Sequence, residues 1–100
     1  MHKLATKAGD GTPVVVVAGW EPQVRAFHLR IECGVQKMFE RRAGAQGAGR
    51  WGIDRIREVL DQYGIKVPRG MLDEIVLDDE CSSDSKRVHW TPEGTALRLG

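Results

Sequence analysis

The chain has little of what usually announces a chemistry. Its 100 residues hold only two cysteines, Cys33 and Cys81. They are too widely separated for a Cys-x-x-Cys pair, so neither a redox motif nor a cysteine-rich zinc site is written into the sequence. The three histidines, His2, His28 and His89, lack the close helical or hairpin spacing that zinc ligands favour. No Gly-x-Ser-x-Gly elbow, no nucleophile with an identifiable base and no dinucleotide fingerprint is present. A non-catalytic protein that needs no metal or cofactor is therefore expected. Catalysis by Cys81 with His28 or His89 would require the fold to bring them together.

Long apolar runs are missing too. Val14 to Ala18 is cut off by Gly19, too short for a secretory core and far too short for a membrane span. With no oxidising compartment indicated for the cysteines, the cytoplasm is the default location and a membrane is not an expected partner. Nor is there an excess of one charge: 15 Lys and Arg stand against 14 Asp and Glu, a formal +1. No global field draws the chain to nucleic acid, so any electrostatic preference must come from how the charges are distributed.

What is present is the makeup of an ordinary globule, 41% hydrophobic and 29% charged. Folding a chain of this length buries about 60% of its extended surface, enough for one core. Residues 1–12 mix Lys, Gly, Asp and Thr and read as a flexible arm, leaving 13–100 as a single α+β domain.

Within that domain the β-branched run Val14 to Val17 reads as a strand buried on both faces. Phe27, Leu29, Ile31 and Cys33 then alternate with His28, Arg30 and Glu32, the period of a second strand, and the two form an antiparallel hairpin. Val35 to Arg42 fits a third strand or a short helix. The strand is preferred, because a two-stranded ribbon is marginal alone. At Ile53 the period changes: Ile53, Ile56, Val59, Leu60 and Tyr63 form one helical stripe, with Gly64 placed to end it in a left-handed conformation. Pro68 opens a second helix carrying Met71, Leu72, Ile75 and Val76 inward. Asp78 to Asp84 reads as a solvated acidic loop. Strands around Val88 to Trp90 and Thr95 to Leu99 flank the turn Pro92-Glu93-Gly94. The fold class expected is thus α+β: a small antiparallel sheet, from the N-terminal hairpin and the C-terminal strands, packed against a two-helix corner.

The apolar spacing over residues 53–77 is similar to that of a helix-turn-helix, a packing pattern shared by any tight helical corner. Charge argues against that corner reading DNA. From Arg69 to Asp84 one Arg faces Asp73, Glu74, Asp78, Asp79, Glu80 and Asp84, where phosphates would have to lie. Opposite charge gathers upstream: residues 37–57 hold Lys37, Arg41, Arg42, Arg50, Arg55 and Arg57 against Glu40 and Asp54. Around a glycine-rich loop with Trp51, this segment suits the acidic face of a protein or single-stranded nucleic acid.

Residues 1–70 carry 12 basic and 7 acidic side chains, a net +5, whereas residues 71–100 carry 3 and 7, a net −4. That polarity points to a small binding or regulatory protein docking on another protein, with Arg41, Arg42, Arg50, Trp51 and Arg55 as candidate contacts. The same polarity allows homo-oligomers by head-to-tail association. The alternative is a nucleic-acid binder using the 53–77 corner or the basic 37–57 loop.

Overall fold

A computed structural model describes residues 1–21, 26–34, 36–41, 53–81 and 87–98. Strands β1 (His2–Lys7), β2 (Pro13–Glu21), β3 (Ala26–Cys33) and β4 (Gln36–Arg41) precede helices α1 (Ile53–Gln62) and α2 (Arg69–Cys81), and β5 (Val88–Trp90) and β6 (Ala96–Arg98) follow. All six strands join one sheet in the order β4-β3-β2-β1-β5-β6.

The hairpin read from the Val run and the alternating segment is β2 with β3, antiparallel, with Val16 opposite Ile31 and Ala18 opposite Leu29. Val14, Val16 and Val17 are buried, but Val15 is only half-buried, so β2 is not covered along its whole second face. The third strand also forms, as β4.

Three expectations are corrected. Residues 2–7 are not a loose arm: they form β1, which pairs with β2 on one side and β5 on the other. The reason is alternation hidden by polar residues. Leu4 and His2 are fully buried on one face while Lys3, Ala5 and Lys7 point outward. Consequently the sheet is mixed rather than antiparallel, because β5 runs parallel to β1, with Leu4 opposite Trp90. The acidic stretch is corrected in part as well, since α2 continues through Asp78, Asp79 and Glu80 to Cys81.

Register sets two faces. Ala96, Trp90, Leu4, Val16, Ile31 and Phe39 fall in one cross-strand row, and Val88, His2, Ala18 and Leu29 in the next. Both helices pack on this face: Ile56, Val59 and Leu60 of α1 and Met71, Leu72 and Ile75 of α2 join Leu4, Val16, Leu29 and Ile31 in one core. Each fully buried Leu or Ile contributes about 1.5–3 kcal/mol, against about 0–1 for an exposed ion pair, so this contact and not surface charge decides the architecture.

The helix ends are fixed by identifiable bonds. The Gly64 amide donates to Asp61 O (3.0 Å) and the Ile65 amide to Leu60 O (2.9 Å), closing α1 as a Schellman motif with Gly64 at φ 67°. The Gly9 amide, in the β1–β2 turn, donates to Tyr63 O (3.1 Å), so the first turn of the chain is tied to the end of α1. Across the sheet edge, the Tyr63 hydroxyl donates to Met38 O (3.0 Å), and Arg98 of β6 pairs with Glu74 of α2.

Candidate functional site

With both helices on one face, the other face is left to the alternate register. The helix-side core does not include this face, although Val17 on it is buried at 3% exposure. One row there reads Leu97, His89, Lys3, Val17, Arg30 and Glu40, and the next Ala5, Val15, Glu32 and Lys37. Most of these side chains are polar or charged, yet the surface retains apolar ground: Leu97 is 60% exposed, Ala5 exposed and Val15 half-buried.

A solvent-open groove of about 580 Å3 lies at one end of this face. Ala5, Pro13, Val15 and Pro92 supply its apolar lining, while Lys7 and Glu32 stand at its borders. Its size falls within the range of ordinary ligand and side-chain pockets. The β1–β2 turn beside it is held by Thr12, whose amide donates to Asp10 Oδ1 at 2.9 Å. A bond from the Thr12 side chain, and after it this backbone bond from the Thr12 amide, hold the Asp10 carboxyl below its usual value.

The charges around the groove differ in what engages them. Glu32 pairs with Arg30, and Lys37 with Glu40. Lys3 and Lys7, both exposed on β1, make no ion pair among the described residues, so the two neutral pairs leave this face with a positive excess.

Of the contact residues expected from sequence, Arg55 is described in full. It lies on the exposed side of α1, donating to Glu58 at 2.8 Å, on the helix layer and away from the groove. Arg41 ends β4 opposite Leu29, with its side chain outside the described residues; Arg42, Arg50 and Trp51 lie outside them entirely. Of the five, the structure thus places only the side chain of Arg55. A smaller cleft of about 380 Å3 sits in the helical corner, bordered by Arg57, Asp61 and Lys66 over Leu60, Ile65 and Leu72.

The groove residues went unnoticed in sequence because none is distinctive alone. Ala5, Val15 and Pro92 become neighbours only through the pairing of β1 with β2 and β5. Among the described residues no cluster of three metal-ligating side chains occurs, and no helix is long and apolar enough to cross a membrane. His28 and His89 lie in the open-face register while His2 is buried on the other face. Comparisons with protein-family models, curated proteins and solved structures find no match.

Proposed function

We propose that this chain is a binding or regulatory protein without catalytic activity, and that another protein docks on the face of its sheet opposite the helices. The observation that carries the reading is the solvent-open apolar groove of Ala5, Pro13, Val15 and Pro92 beside Lys7, on the face opposite the one buried under two helices. Apolar ground rimmed by charge is the composition of a docking patch, in which burial supplies the affinity and the rim sets the orientation. The segregation of charge along the sequence, +5 before residue 71 and −4 after it, adds a steering dipole for an oppositely patterned partner.

The test is retention of a partner protein by the immobilised chain at about 50 mM salt, where electrostatic contacts are least screened. Lys7→Glu and Ala5→Asp alter exposed positions, so circular dichroism should remain that of the parent while retention falls. Undiminished retention by both variants, or no retention by the parent, overturns the reading. A nucleic acid as partner would instead give gel retardation that disappears in Arg41→Ala, Arg42→Ala and Arg50→Ala chains and falls steeply with salt.

A further inference from the structure

Resting on that reading, the occupant of the groove can be named. We infer that it is the exposed ridge of α2 from a second copy of this chain. In α2, Met71, Leu72 and Ile75 face the core. Asp73 and Leu77, four residues apart and therefore neighbours on one side of the helix, are both exposed. Leu77 is 48% exposed, with Met1 and Leu97 one of the large apolar side chains so placed among the described residues.

Asp73 makes no ion pair among the described residues, whereas the neighbouring Glu74 is already engaged by Arg98. Asp78, Asp79 and Glu80 follow in the same helix without a basic residue among them. The ridge thus presents an apolar side chain next to an unpaired carboxylate. The groove presents the complement: an apolar floor next to Lys7, whose charge no acid among the described residues engages. Glu32, the other charge at the groove, is held by Arg30 and opposes an incoming acid less than an unpaired carboxylate would.

Geometry sets the kind of assembly. Groove and ridge lie on opposite sides of the two-layer molecule, so the contact joins two different surfaces and leaves one of each unused at every step. Such heterologous contacts extend into chains of copies unless a rotation closes them into a ring. The second copy docks Leu77 over Ala5 and Val15 and sets Asp73 against Lys7.

Sedimentation of the purified chain over a range of concentration and salt tests this. The parent should show mass rising with concentration, most strongly at about 50 mM salt. Lys7→Glu and Asp73→Lys should each weaken association by about five- to tenfold. Mixing the two variants should restore it, because the groove of one then carries a carboxylate and the ridge of the other an ammonium. Leu77→Ala should weaken it by about tenfold or more. A parent that stays monomeric to about 0.5 mM, or association that ignores these changes, overturns the inference. A monomer that still retains a different protein through Ala5 and Lys7 ends this inference alone, and loss of both observations ends the docking reading with it.

Discussion

The indole Nε1 of Trp90 donates a hydrogen bond to Nδ1 of His2 at 3.0 Å, joining the first strand to the first strand after the helices. Both residues are buried, and their rings lie 6.3 Å apart at 34°. Because the indole can only donate, Nδ1 must accept, and the His2 proton is directed to Nε2. A polar side chain at the centre of the sheet thereby becomes a marker for the parallel pairing of β1 with β5.

Replacing Trp90 with Phe keeps a ring in the core but withdraws the donor from His2. The predicted cost is about 1–3 kcal/mol, the range for a buried polar group that loses its partner. Urea unfolding should show the midpoint falling, with circular dichroism of the native state unchanged.

Gly64 meets two demands at once. Its φ of 67° is unfavourable for any residue with a Cβ, and a Cβ there would lie 2.7 Å from Gly9 Cα and 2.8 Å from Gly9 N. Gly64→Ala should therefore destabilise by about 2–4 kcal/mol, beyond the roughly 1–2 of the left-handed conformation alone. Gly9→Ala should cost less, since its Cβ would meet Gly64 Cα at a less severe 3.3 Å. Thermal unfolding of the two variants checks the order.

Asp10 provides a pH-dependent effect of known sign. The bonds from Thr12 favour its charged form, so its folded-state value lies below the ordinary 3.8. Its contribution to stability is present above that ordinary value and disappears as pH falls through the lower, folded-state one. A carboxyl NMR titration should place its midpoint below 3.8, and Thr12→Pro, which removes both the side-chain donor and the donating amide, should raise it.

Surface and core substitutions on α1 should separate cleanly. Arg55→Ala removes an exposed pair with Glu58 and should change stability by no more than about 0.5 kcal/mol. Leu60→Ala, in the core against the sheet, should cost about 2–5 kcal/mol. Chemical denaturation of both reads the contrast.

Particular segments explain what was legible in the sequence. The Val14–Val17 run, the alternation from Phe27 to Cys33, the stripe from Ile53 to Tyr63 and the Gly64 stop are local patterns, and each formed the element its period implies. Strand β1 was hidden because its buried phase begins with a histidine and its open phase carries two lysines, which together resemble a polar arm. Trp90 of its parallel partner β5, whose indole bonds His2, lies 88 positions away from that residue, and no local pattern reports such a pairing. The α2 extension was obscured by Asp78, Asp79 and Glu80, acids that are disfavoured near a helix C-terminus by only a few tenths to about 1 kcal/mol. The groove was illegible for the same reason as β1: Ala5, Val15 and Pro92 acquire a common role only once the strands are in register.

The central claim is that a protein partner seats on the face of the sheet opposite the helices, with no contact to α1. Installing a benzophenone-bearing residue at Ala5, and separately at the exposed Gln62 of α1, places one photoreactive probe on each side. Irradiation with the partner present should give a covalent adduct from position 5 and none from position 62. Adducts from position 62 alone, equal yields from both, or none from position 5 would contradict the account.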